Sequence, residues 1–177
     1  MTALIFLFFA TLMFGQLGGV MLASGVTVYA HDFFVILIVT VFFAKRILKK
    51  KPVVWGPLGS AIGSFIGVGM LSLLVNVGAF APAALAQGSL YLLRWSFYAL
   101  LSVVVLGSSF SGSWWLWGLY IAGVGVAILG LVQYVWYPYL RNVYYLGWDP
   151  HLGRVFSTFL DPNFVGLFLL LTLFLGI

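Results

Sequence analysis

Long apolar runs broken by short polar or glycine-rich intervals set the pattern of this chain. A helix needs about 20 apolar residues to cross a bilayer. On that ruler the pattern predicts six membrane segments: about Ala3–Leu22, Tyr29–Leu48, Leu58–Phe80, Leu90–Gly107, Trp114–Val135, and a sixth that begins at Phe164. The predicted fold is all-α, a polytopic transmembrane helical bundle forming one domain over residues 1–177. No basic residue precedes the first run, so it reads as a membrane helix rather than a cleaved signal. The sixth run, Phe164–Ile177, has 14 residues, about 21 Å of helix against a hydrocarbon core of about 30 Å. A chain that stops inside a span is expected of the N-terminal fragment of a longer multi-span protein.

Composition sharpens this picture. The chain is 64% hydrophobic and 6% charged, with mean hydropathy +1.18, whereas soluble domains carry about 25% charged residues. The formal net charge is +5, but Lys45, Arg46, Lys49, Lys50 and Lys51 sit in one patch at the end of the second span, where such patches set topology. That places the patch and the N-terminus in the cytoplasm. The intervals around Ser24–Val28 and Ala81–Gln87 and the long segment Trp136–Asn163 are then outside, with Ser108–Ser113 an inner turn. The outer segment balances Arg141 and Arg154 against Asp149 and Asp161, consistent with that orientation. No nucleic-acid motif accompanies the positive charge. Without cysteine, and with two histidines and three acids, the chain offers no metal-ligand pattern; no metal and no cofactor is expected.

Few residues can carry chemistry. Gly153 to Phe164 is the most informative stretch: Arg154, the hydroxyls of Ser157 and Thr158, then Asp161-Pro162-Asn163 entering the last apolar run. Asp161-Pro162-Asn163 reads as a cap and helix start, with Asn163 a good N-cap residue. Arg154 and that helix N-terminus can together cradle a phosphate or diphosphate, or Arg154 can pair with Asp149 or Asp161 at the surface. Arg94 lies inside the fourth span, about one turn from its outer end. It reads either as an interfacial anchor or as a cation facing an outer cavity, with Tyr98 one turn on to orient it. His31-Asp32 reads as an interfacial polar pair, and His151 as a loop histidine. Trp136, Tyr137, Tyr139, Tyr144, Tyr145 and Trp148 suit an interfacial belt. Gly59, Gly63 and Gly67, with Ser60 and Ser64, form a small-residue face that reads as helix packing or as the wall of a substrate path.

Arg154-Val155-Phe156-Ser157-Thr158-Phe159-Leu160-Asp161-Pro162-Asn163, followed by an apolar span, resembles the pattern of the O-antigen ligase / O-antigen polymerase family of bacterial membrane proteins. Softer support comes from Tyr29-Ala30-His31-Asp32 and from Leu93-Arg94. The resemblance implies a many-span helical fold and a glycosyltransferase for surface polysaccharide or lipopolysaccharide assembly. It moves glycan from an undecaprenyl-diphosphate-linked donor to a glycan or lipid A core acceptor at the outer face of the bacterial inner membrane. It further implies that Arg154 contacts the lipid diphosphate, with Arg94 a second contact and Ser157, Thr158, Asp161, Pro162 and Asn163 a supporting motif. The catalytic base is expected C-terminal to this region, so the chain alone is expected to be inactive. The other readings are a membrane transporter or lipid-carrier flippase, with Arg94 and the glycine-rich third span lining a path, and a non-catalytic scaffold.

Overall fold

A computed structural model of the chain describes residues 1–23, 26–108, 112–141 and 150–176. It is 74% helical, with six α-helices: α1 (Thr2–Leu12), α2 (Ala30–Leu48), α3 (Gly59–Val75), α4 (Pro82–Gly107), α5 (Gly112–Trp136) and α6 (Pro162–Leu175). Two short strands, β1 (Gly19–Ala23) and β2 (Val26–Tyr29), pair as one sheet, and β3 (Tyr139–Leu140) pairs antiparallel with β4 (His151–Leu152). α4 and α5 are long and apolar enough to cross a membrane; α1, α3 and α6 are apolar but shorter.

The helix boundaries differ from those expected in three places. The first run does not form one span: α1 stops at Leu12 and a 3-10 turn follows at Gly15–Gly18. Gly15 has φ +47°, and a Cβ on it would lie 2.7 Å from the Thr158 carbonyl oxygen. Only glycine combines the left-handed backbone with that approach, so the chain turns here despite its apolar sequence. α3 ends at Val75 rather than Phe80, where the Asn76 side chain donates to the Ser72 carbonyl (2.8 Å). α4 starts eight residues before Leu90, so the interval expected as an outer loop, Ala81–Gln87, is largely helix. Pro82 stands in its first turn and the strong helix formers Ala83, Ala84, Leu85 and Ala86 carry it forward.

The chain divides into two compact units. The first comprises Met1–Leu4, Met21–Val28 and Asp32–Gly112. Its core is the stripe Val35, Ile38, Val39 and Phe42 of α2, at helical spacing, with Val103 and Val104 of α4. α3 packs on α4, with Leu73 beside Gly88, Leu92 beside Gly69 and the Phe65 and Trp95 rings 4.0 Å apart. On the small-residue face of α3, nothing among the described residues lies within 4 Å of a Cβ built on Gly63 or Gly67, and Gly59 meets its own neighbour Trp55.

The second unit comprises Ile5–Val20, Tyr29–His31 and Ser113–Ile177. Here the glycines of α5 admit the neighbours. Gly118 faces the Phe9 ring, Gly123 faces Thr172 of α6, Gly125 faces Met13, and Gly130 faces Val155 and Ser157. α5 is thus the helix on which the end of α1, α6 and the loop before α6 all rest. Leu140 and Phe156, with Leu160 against them, form a small cluster at the loop.

Gly15→Ala should lower the thermal stability of the detergent-solubilised chain by about 1–3 kcal/mol, the usual cost of forcing a side chain into such a backbone conformation. A melting curve that does not move would mean that the Gly15–Thr158 approach is not what ends α1.

Candidate functional site

The residues singled out in the sequence fall into two separate sites, one in each unit. In the second unit, the loop carrying Arg154 is anchored by Gln133 in the last turn of α5. Its amide oxygen accepts from the backbone N–H groups of Phe156 (3.0 Å) and Ser157 (3.1 Å), and its amide nitrogen donates to the carbonyls of Tyr137 (2.8 Å) and Arg154 (3.4 Å). Ser157 and Thr158 then point inward. The Ser157 hydroxyl donates to the Val126 carbonyl and the Thr158 hydroxyl to the Met13 carbonyl, each at 2.7 Å, and both residues are buried. Ser157 (φ 46°) and Leu160 (φ 54°) adopt left-handed backbone without being glycine. Such conformations cost about 1–3 kcal/mol each and persist where surrounding bonds over-determine them, as they do around Ser157.

The cap of α6 is Asp161, not Asn163. Its carboxylate accepts from the N–H groups of Asn163 (2.7 Å) and Phe164 (3.2 Å), and its carbonyl accepts from Val165 (3.1 Å). Pro162 brings no N–H. The first-turn donors of α6 are therefore all engaged, and the anion at this helix N-terminus is the protein's own carboxylate. The expected cradle reduces to Arg154 itself. Its side chain is exposed, and among the described residues its guanidinium makes no ion pair. Pairing with Asp161 is not observed, and Asp149 lies outside the described residues, as do Tyr144, Tyr145, Trp148 and the Ser109–Ser111 part of the expected inner turn.

In the first unit, Arg94 sits twelve residues after Pro82, about three turns into α4 rather than one. A guanidinium N–H pairs with the Asp32 carboxylate (2.9 Å), the same nitrogen donates to the Thr27 carbonyl, and the Tyr91 ring lies 5.9 Å from the guanidinium carbon. The other Asp32 oxygen accepts from the Tyr98 hydroxyl (2.9 Å). Tyr98 thus orients Arg94 through Asp32. The carboxylate side chain is 6% exposed and the arginine 28%. A buried carboxylate is tolerable only when paired and hydrogen-bonded, and β2, α2 and α4 each supply one part of that arrangement.

These groups border a cavity of about 120 Å³ with a mostly apolar wall, among them Val26, Ile36, Leu90 and Phe97. Its polar members on α4 are Gln87, Tyr91, Arg94 and Tyr98. They are spaced four, three and four residues apart, which puts them on one helix face. The fourth span is therefore not apolar all round. That spacing was present in the sequence, although the uniformly high hydropathy of the run masks it. Gln133 carried no comparable signal, because a lone glutamine near a helix end says nothing about which loop it will hold. His151 is half-buried in β4, opposite Leu140, and Tyr29 and His31 stack with ring centroids 5.4 Å apart. Trp136, Tyr137 and Tyr139 are exposed. Among the described residues no three His, Cys, Asp or Glu side chains come together.

Asp32→Ala should strand the Arg94 charge and cost about 2–4 kcal/mol of stability, tempered by the partial exposure of the guanidinium. Adding Arg94→Leu should restore more than half of that loss in a double-mutant cycle. Equal, additive losses would show that the two residues do not act as a pair. Gln133→Ala leaves the Phe156 and Ser157 N–H groups without an acceptor and should cost about 2–3 kcal/mol, read as early protease cleavage of the segment between α5 and α6.

Comparison of the chain with protein-family models, with curated proteins and with solved structures gives no match in any of the three.

Proposed function

We propose that this chain is the membrane part of a glycosyltransferase of the O-antigen ligase / O-antigen polymerase type. In this reading it is a six-segment bundle in the bacterial inner membrane, with its N-terminus cytoplasmic and Arg154 at the outer face. The donor is a glycan on undecaprenyl diphosphate, and the acceptor is a glycan or the lipid A core. The resemblance over Arg154 to Asn163 supports the reading, and one observation carries it furthest: Arg154 is exposed and its guanidinium is not neutralised by any described carboxylate, on a loop whose backbone is fixed from both sides.

The chemistry asks for such a group. When the glycan leaves its carrier, negative charge builds on the departing diphosphate. An arginine meets that charge with two parallel N–H donors and stays protonated throughout. A donor fixed in advance loses little on binding, and Gln133 with the buried Ser157 and Thr158 supplies that fixation. Asp161 supports the site from behind as a helix cap and leaves the anion to Arg154 alone. Arg94 is the weaker contact in this scheme. Its charge already meets Asp32, so an anion at Arg94 must compete with a buried carboxylate.

A second reading, a transporter or lipid-carrier flippase, draws on a different observation: the polar face of α4 borders a cavity in a helix long enough to span a membrane. The two readings place the important arginine differently. In transfer, Arg154 dominates; in transport, Arg94.

In the source cell, Arg154→Ala at the chromosomal locus should reduce glycan assembly about a hundredfold, the usual scale for losing one preorganised anion contact. Arg154→Lys should retain part of the activity, and membrane insertion and the melting temperature should stay as in the native protein. Undiminished glycan assembly by Arg154→Ala would remove the role given to it here. Movement of a labelled lipid-linked glycan across vesicle membranes, lost in Arg94→Gln but not in Arg154→Ala, would favour the transport reading.

A further inference from the structure

The basic patch at the end of α2 carries a backbone feature that its expected role in topology does not explain. The Lys51 N–H bonds to the Arg46 carbonyl (2.9 Å) and the Lys50 N–H to the Ile47 carbonyl (3.0 Å), with Lys50 at φ +49°. These two bonds and the left-handed residue make a Schellman termination, in which the left-handed position is normally glycine. A side chain there is crowded against the following carbonyl oxygen. The position is occupied instead by a lysine, flanked by two more.

Arg46 is the one basic residue that turns inward. It donates to the Pro52 carbonyl (3.2 Å) and to the Gly107 carbonyl, and its guanidinium lies 5.2 Å from the Phe42 ring. It thereby ties both sides of the turn to the end of α4, and Lys45, Lys49, Lys50 and Lys51 are all left exposed. Between and beside these four cations stand apolar side chains that are equally uncovered: Ile47 is 73% and Leu48 82% exposed. A soluble acidic partner would match the charges but not the aliphatic pair. A bilayer surface matches both, with anionic head groups above and hydrocarbon below.

We propose that Lys45, Lys49, Lys50 and Lys51 form a binding site for anionic lipid head groups, and that the charge on Lys50 contributes to lipid binding while its left-handed backbone lowers the stability of the chain. The proposal rests on the membrane placement above but not on glycosyl transfer.

The test uses the purified full chain in nanodiscs of mixed phosphatidylcholine and phosphatidylglycerol, with the bound lipids counted by native mass spectrometry and the melting temperature followed in parallel. The native protein should retain phosphatidylglycerol preferentially. Each lysine near an anionic surface is worth about 1 kcal/mol, so Lys50→Gly should weaken that preference about fivefold. The same substitution relieves the backbone and should raise the melting temperature by about 2–4 °C. Lys49→Gln with Lys51→Gln, which leaves the turn untouched, should weaken the preference without that gain. Equal retention of both lipids by the native protein, or an unchanged preference in both variants, overturns the site. A lower melting temperature for Lys50→Gly overturns the part assigned to its backbone. A chain that stays in aqueous solution and does not enter nanodiscs overturns the membrane placement itself, and the site with it.

Discussion

Away from water, an unpaired polar group costs several kcal/mol, and a chain with 6% charged residues has few side chains with which to meet that constraint. Two polar side chains illustrate how it is met. Asp32 gathers Arg94 and Tyr98 in the first unit, and Gln133 gathers the backbone of the loop before α6 in the second. Each is a short polar side chain near a helix end that bonds to more than one group: Asp32 to two side chains of α4, Gln133 to backbone on both sides of the loop it holds. The apolar residues decide that the helices form. Asp32 holds a polar face of α4 and Gln133 holds the loop before α6, and the candidate sites are built on that face and that loop.

The same constraint explains why polar residues that looked available for chemistry turn out to be structural. Ser157 and Thr158 read in the sequence as part of a motif supporting Arg154, and each donates to a backbone carbonyl of another segment, Val126 within α5 and Met13 just past α1. Asp161, expected within the cap of the last helix, satisfies the start of α6 with its own carboxylate. In this motif the hydroxyls and the carboxylate fix the backbone, and the Arg154 side chain is exposed. A motif can therefore be functional as a unit although most of its residues never touch a ligand.

Much of the helical layout was legible. α2, α5 and α6 begin and end within two residues of the expected apolar runs wherever those runs had an expected end, because nothing inside them competes with helix formation. The failures have local causes. Hydropathy alone joined Ala3 to Leu22, since Gly15 is invisible on such a scale, and its need for a left-handed backbone arises only from the approach of Thr158, 143 positions further along the chain. The glycine stripe of α3 had the spacing of a packing face, but the glycines that admit neighbours in the second unit are those of α5, whose spacing is less regular. Spacing shows where a helix can be approached. Which element arrives depends on contacts between distant parts of the chain.

The two arginines show the limit of reading a charge by its position. Arg94, deep in an apolar helix, looks more anomalous than Arg154 in a loop. Yet depth is what demands compensation: a guanidinium three turns into α4 is sustainable because Asp32, Thr27 and Tyr91 surround it, and an anion binding there must displace a carboxylate that is itself costly to leave unpaired. Arg154 is exposed and needs no such compensation, and among the described residues no carboxylate neutralises it. The more conspicuous arginine is thus the better satisfied one, and the less conspicuous one is the better candidate for binding an anion.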